Sequence, residues 1–169
     1  MLITLHELEL HRVVVAKTYA PGALDYQGAE FRQIDDLHVN AVAELAGTEI
    51  RIRGAVRTRL EATCSRCLES VALPVEREFD LTYRPMSTIA RDEEIELPPD
   101  ELDVGFYEGD GIQLADVMIE QVILTFPMKV ICREDCRGLC PTCGADRNRE
   151  TCQCPEPQVD SPFAALRGQ

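Results

Sequence analysis

The sequence predicts an α+β fold: an antiparallel, strand-rich body with one amphipathic helix, and a small cysteine-rich module at its C-terminal end. Three patterns predict it. Apolar residues alternate with charged ones from Ile50 to Tyr83. Apolar residues recur at helical spacing between Ile112 and Phe126. Six of the eight cysteines fall within residues 132–154. The expected division is a body of residues 1–130, holding an acidic loop at 85–110 and a helix at 112–126, and a module of residues 131–169.

The first 48 residues are the least patterned. Arg12 to Ala16 reads as a short strand, Pro21-Gly22 as a turn, and Leu37 to Leu45 as a strand ending at Gly47. The next stretch is the clearest. Ile50, Ile52, Val56 and Leu60 occupy even positions, while Arg51, Arg53, Arg57 and Arg59 occupy odd ones. A period of two places each set on its own face of a half-buried strand. After Cys67 the alternation resumes with Val71, Val75, Phe79, Leu81 and Tyr83 on one side and Glu76, Glu78 and Asp80 on the other. A hairpin with Cys64-Ser65-Arg66-Cys67 at its tip brings these faces into register. Arg51 then opposes Asp80, and Arg53 opposes Glu78. A slip of one residue would set charge against the apolar face. Pro85, Pro98 and Pro99 break regular structure, leaving a short strand over 102–107. The helix over 112–126 has Asp110 as its N-cap, and Pro127 stops it. Ser161-Pro162 predicts a last short helix through Phe163 to Leu166.

The chain has 169 residues and a formal net charge of -13. Eleven acids lie between Asp92 and Glu120 with no Lys or Arg among them, so the rest of the chain is nearly balanced. Overall acidity opposes binding a phosphate backbone across the whole surface and suits solubility or a basic partner. The N-terminus has neither a basic n-region nor an apolar h-region, and no apolar run approaches the roughly 20 residues of a spanning helix. The expectation is a cytoplasmic protein that does not engage a membrane.

In a reducing compartment eight thiols point to metal ligation instead of disulfides. The cysteines are Cys64, Cys67, Cys132, Cys136, Cys140, Cys143, Cys152 and Cys154. Two CxxC pairs stand out, and the second, Cys140-Pro141-Thr142-Cys143-Gly144, has the form of a zinc knuckle. Its spacing turns both thiolates toward one ion, and the glycine allows the left-handed turn that aims backbone amides at sulfur. One or two structural zinc ions are expected. Cys64 and Cys67 could join Cys140 and Cys143, or a site could close inside 132–154. The short loops of the second arrangement favour at least one internal site. A thiol-redox protein is the rival reading of CxxC, but such sites place the first cysteine at a helix N-terminus, and no helical pattern follows either pair.

Two charged surfaces are candidate contacts. Arg51, Arg53, Arg57 and Arg59 form a face that could meet RNA phosphates, or simply pair with acids across the hairpin. Asp92, Glu93, Glu94 and Glu96 could dock a basic protein, or form a solvated loop. His6, His11 and His38 lie far from the cysteines. No Gly-rich phosphate loop and no Ser/His/Asp pattern is present, so neither an enzyme nor a small-molecule substrate is expected.

These residues carry a resemblance. Cys64-Ser65-Arg66-Cys67-Leu68-Glu69 resembles the hairpin motif of the YceD family. The run Ile123 to Met128, then Cys132, Cys136 and Gly138 to Gly144, with Asn148, Cys152 and Cys154, is similar to that family's C-terminal signature. The resemblance runs from about Gly47 to Leu166. It implies a non-enzymatic role in accumulation of 23S ribosomal RNA, and so in assembly of the large ribosomal subunit. The implied partner is large-subunit ribosomal RNA or a basic ribosomal protein, the latter making the protein an adaptor.

Overall fold

A computed structural model describes residues 1–88 and 104–155 of the chain. The elements run β1 (Leu2–Thr4), α1 (Leu5–Leu10), β2 (Val13–Tyr19), β3 (Phe31–Gln33), β4 (Leu37–Ala46), β5 (Glu49–Thr63) and β6 (Ser70–Pro85). A single 3₁₀ turn follows at Met86–Thr88, then β7 (Val104–Tyr107), β8 (Gly111–Gln113) and α2 (Leu114–Thr125). The expected segment Asp92, Glu93, Glu94 and Glu96 and the expected helix at 163–166 lie outside the described residues. Among those described, the chain forms two compact units. Of the described residues, the first comprises 1–62, 72–88 and 104–128, and the second 63–71 and 129–155.

The first unit is built on one large sheet with strand order β2-β4-β5-β6-β7, with β3 pairing alongside β5. Its pairings are antiparallel except at the end, where β7 runs parallel to β6, Thr82 facing Val104 and Pro85 facing Tyr107. The body is therefore mostly, not wholly, antiparallel, and it carries two α-helices among the described residues instead of one. The β4–β5 hairpin closes on two loop residues between Ala46 and Glu49. Gly47 sits there at φ +66°, the first-loop position where a II′ turn calls for glycine.

Alternation sets what is buried. Ile50, Ile52, Val56 and Leu60 are buried, while Arg51, Arg53, Arg57 and Arg59 face solvent. With Leu37, Val39, Ala41 and Ala43 of β4 and Val75 and Phe79 of β6 they form one apolar layer. Onto it pack Leu8 of α1 and Leu114, Val117, Met118 and Val122 of α2, the last four at helical spacing. Burying each such side chain contributes about 1.5–3 kcal/mol.

The helix ends differ from expectation. Gln113, not Asp110, is the N-cap of α2. Residues 111–113 are instead a strand paired with β1, and the Asp110 carbonyl accepts the Leu5 N–H at 2.7 Å. The helix ends at Thr125, before Pro127. Helix α1 was not expected. Its start is a capping box in which the Thr4 hydroxyl accepts from the Glu7 N–H and the Glu7 carboxylate accepts from the Thr4 N–H.

Candidate metal centre

The second unit gathers all eight cysteines into two groups of four. Cys64, Cys67, Cys132 and Cys136 form one, and Cys140, Cys143, Cys152 and Cys154 the other. Within each group the sulfurs lie within 4.8 Å of one another. The second group is an internal site of the kind the short loops favoured. Cys64 and Cys67 join Cys132 and Cys136 and not Cys140 and Cys143.

Two turns of the same design present the CxxC pairs. In the first, the Cys64 N–H donates to the Glu69 carbonyl at 2.8 Å and the Leu68 N–H to the Cys64 carbonyl at 3.0 Å. In the second, Cys140 donates to the Ala145 carbonyl and Gly144 to the Cys140 carbonyl, both at 2.8 Å. The residue after each pair is left-handed, Leu68 at φ +63° and Gly144 at φ +74°. Such a turn folds the chain back so that its amides point at the first sulfur. The Arg66 N–H lies 3.5 Å from Cys64 Sγ, and the Cys132 N–H lies 3.4 Å from it.

The two ligand-bearing segments are held together by backbone groups, by Arg66 and by an ion pair between Arg149 and Glu69 at 2.6 Å. Ser65 donates to the Val130 carbonyl, and Leu139 to the Arg66 carbonyl at 3.0 Å. The Arg66 guanidinium donates back to the carbonyls of Glu134 and Cys136, at 3.2 and 2.9 Å. Gly138, at φ +70°, passes so close that a Cβ there would lie 2.8 Å from the Arg66 carbonyl oxygen. Asn148 fastens the first group to the turn at Asp146. Its amide donates to Cys136 Sγ at 3.5 Å and to Asp146 Oδ1 at 2.7 Å, and its Oδ1 accepts from the Arg137 N–H. The structural roles of Arg66 and Gly138 were not read from the sequence, although both sit inside the quoted motifs. A glycine midway between Cys136 and Cys140 was the available signal.

The geometry fits a single ion in the first group. Four thiolates about 2.3 Å from a tetrahedral ion stand roughly 3.8 Å apart. Cys67 and Cys132 sulfurs are 3.6 Å apart, and Cys64 and Cys136 sulfurs 4.0 Å. Proton affinities point the same way. Backbone N–H groups, led by those of Cys67 and Arg66, hold the Cys64 thiol down to about 6. Burial, with the sulfurs of Cys136, Cys67 and Cys64, pushes Cys132 up to about 12. The second group repeats the split. The N–H groups of Cys143 and Thr142 hold Cys140 down to about 6, while Cys154 is pushed up to about 12 by the sulfur of Cys143 and by burial. Without a cation, each group keeps some thiolates and must leave others protonated. A divalent ion removes that conflict by displacing the protons. Both groups can hold a metal ion. Neither CxxC stands at a helix N-terminus, since turns follow both pairs.

The arginine face lies in the first unit, and its charges are paired. Arg51 makes a bidentate contact with Asp80 at 2.8 and 2.6 Å. Arg53 reaches Glu44 on β4 at 2.6 Å, not the Glu78 expected across the hairpin. Arg57 pairs with Glu76 at 2.6 Å and Arg59 with Asp35 at 2.7 Å. His38 sits beside Thr18 of β2. Among the described residues, no helix is long and apolar enough to cross a membrane.

Residues 52–168 match the family described as large ribosomal RNA subunit accumulation protein YceD. A protein of Mycobacterium tuberculosis (strain ATCC 25618 / H37Rv) is 34% identical over 132 residues, covering 78% of this chain and 58% of its own length. A chloroplast protein of Arabidopsis thaliana, named as a homolog of the large ribosomal RNA subunit accumulation protein YCED, is 24% identical over 147 residues, covering 70% of this chain and 43% of its own. A Mycobacterium leprae protein is 29% identical over 110 residues. This chain thus spans between 43% and 58% of the length of these curated relatives. No solved structure matches it. The matched span takes in the Cys64 hairpin tip and the whole described cysteine module, and the chain belongs to the YceD family.

Proposed function

We propose that this protein is a non-enzymatic, cytoplasmic factor that promotes 23S ribosomal RNA accumulation and large-subunit biogenesis, with two zinc ions as structural staples. The observation that carries the reading is the family match over 52–168, which spans both four-cysteine groups. The family's printed description concerns large-subunit ribosomal RNA, and this supports a role in ribosome biogenesis. Zinc is the ion the donor set suits, because four thiolates at tetrahedral spacing and no histidine or carboxylate favour a d¹⁰ ion with no redox demand. Cys64, Cys67, Cys132 and Cys136 would hold one ion, and Cys140, Cys143, Cys152 and Cys154 the other. Each ion would join segments too small to form a core of their own.

The deciding experiment is the ratio of 23S to 16S ribosomal RNA in a strain lacking the gene. Rescue is attempted with the wild type, with Cys64→Ser/Cys136→Ser, and with Cys140→Ser/Cys143→Ser. A lower ratio on deletion, restored only by the wild type, supports both the role and the need for metal. A ratio that never moves rejects the role.

A second reading, an adaptor that docks a basic ribosomal protein, is favoured by the arginine face. With Arg51, Arg53, Arg57 and Arg59 each matched to a carboxylate, that face offers little unspent positive charge to RNA. Retention of ribosomal RNA that falls with Arg51→Glu/Arg53→Glu in an otherwise folded protein would reject this second reading.

A further inference from the structure

A cleft of about 360 Å³ opens in the first unit between the end of the large sheet and α2. Its walls include Tyr83 of β6, Phe106 of β7, Glu108 of the following turn, and Asp116, Val117 and Glu120 of α2. Among the described residues, no Lys, Arg or His lines it.

Three features set it apart. The first is its charge. Along the arginine face of the sheet the carboxylates of Asp35, Glu44, Glu49, Glu61, Glu76 and Asp80 are each matched to an arginine, whereas the cleft gathers three that are not. Glu108, Asp116 and Glu120 are exposed and form no ion pair among the described residues. The second is the helix. Asp116 and Glu120 stand four residues apart on α2, a like-charge spacing that destabilises an isolated helix. Glu120 is close enough that its charge, after burial, helps push the Tyr83 hydroxyl up to about 12. The third is the aromatic wall. Phe106 is 42% exposed on the strand that ends the sheet. The Tyr83 ring lies against Gly105, where a Cβ would stand 2.6 Å from two ring carbons, so glycine is what lets the ring lie there.

A cation on an aliphatic stem matches this wall chemically. The stem lies along an aromatic ring, the head group is attracted to the ring face, and carboxylates complete its hydrogen bonds. Nucleic acid does not match, because its phosphates would meet three unneutralised carboxylates. We infer that the cleft formed by Tyr83, Phe106, Glu108, Asp116 and Glu120 is a docking site for a lysine or arginine side chain of a protein partner. This goes beyond the proposed role in ribosomal RNA accumulation and does not depend on it.

The test uses the full-length, metal-loaded protein and a short fluorescein-labelled peptide of alternating lysine and alanine, read by fluorescence anisotropy. Asp116→Asn/Glu120→Gln should weaken binding about tenfold, the loss expected when charge-assisted hydrogen bonds to one cation disappear. Phe106→Ser, which alters no charge, should weaken it severalfold. Glu9→Gln/Asp36→Asn removes two exposed carboxylates of the same unit outside the cleft and should leave binding unchanged. Relief of the repulsion in the pair offsets the loss of the Asp116 charge from the first turn of α2, so the variant should keep close to the wild-type melting temperature. Equal losses in the cleft and control variants would mean only bulk charge and would overturn the inference. So would undiminished peptide binding by Asp116→Asn/Glu120→Gln, or a ribosomal RNA fragment whose binding falls in place of the peptide's. The titration makes no use of ribosomal RNA levels, so the cleft and the accumulation role can fail separately.

Discussion

Replacing Gly138 with alanine tests how the first cysteine group is assembled. Gly138 is left-handed at φ +70°, which costs a residue carrying a Cβ about 1–2 kcal/mol. The new Cβ would also stand 2.8 Å from the Arg66 carbonyl oxygen, inside the roughly 3.3 Å of a close C···O approach. That oxygen already accepts the Leu139 N–H, so backbone would have to move, at a further cost of about 1–3 kcal/mol. The total is about 3 kcal/mol. In a small unit that folds around its ion, as proposed for this one, folding energy is expressed as ion affinity, so the expected loss is roughly 100-fold. Gly144→Ala is the matched control, because Gly144 has φ +74° but nothing within 4 Å of its Cβ position. It should lose only about tenfold. Both affinities are measured by competition with a chromophoric zinc chelator. Equal losses for the two variants would refute the claim that contact with Arg66 sets the spacing of the ligand segments.

Other outcomes follow from the same geometry. Leu68 has the left-handed turn but is 63% exposed, so Leu68→Gly should relieve strain with little lost burial and stabilise the unit by about 0.5 kcal/mol, read as slower zinc loss to chelator. Asn148→Ala removes the donor to Cys136 Sγ and should weaken the first site about fivefold, near 1 kcal/mol, in the same competition. In the metal-free protein, Cys64 and Cys140 sit below their ordinary value of 9.0, at about 6. Their contribution to folding is therefore full above pH 9.0 and is lost as pH falls through 6. Cys132 and Cys154, raised to about 12, lose theirs only as pH rises from 9.0 through 12, so they do not reverse the trend at lower pH. Chelated protein should be cut faster by protease in the second unit at pH 6.5 than at pH 8.5, and equal rates would contradict these shifts. Arg51→Ala breaks an exposed, solvent-screened ion pair and should leave the thermal unfolding midpoint nearly unchanged; a large drop would contradict the screening argument.

What the sequence revealed depended on whether a local rule had a competitor. The β5 and β6 alternation was legible because one face had to be apolar along more than a dozen residues, and only one register kept Arg51 near Asp80. The ion partner of Arg53 was not legible because an arginine on a central strand has two neighbouring strands to choose from, and its side chain reaches Glu44 of β4. Asp110 looked like a cap because Asp before an apolar run usually is one. The pairing of 111–113 with β1, more than a hundred residues away, took precedence. Helix α1 had its signal, Thr4 three residues before Glu7, but only six residues to express a period. The cysteine grouping was least legible. CxxC fixes two ligands of an ion and says nothing of the other two. Their identity was set by hydrogen bonds from residues 65 and 66 to residues 130–139, contacts that no spacing encodes.

The second unit draws on residues 63–71 as well as the run after 128. Anyone cutting the gene at a linear boundary will divide it. A fragment beginning at residue 131 would keep Cys140, Cys143, Cys152 and Cys154 together but strand Cys132 and Cys136, exposing two thiols to chance disulfides. A fragment ending at residue 130 would orphan Cys64 and Cys67 in the same way. Deletion mapping with such pieces would score the loss of a shared ion as the loss of whichever half was removed, and so credit one activity to both ends of the gene.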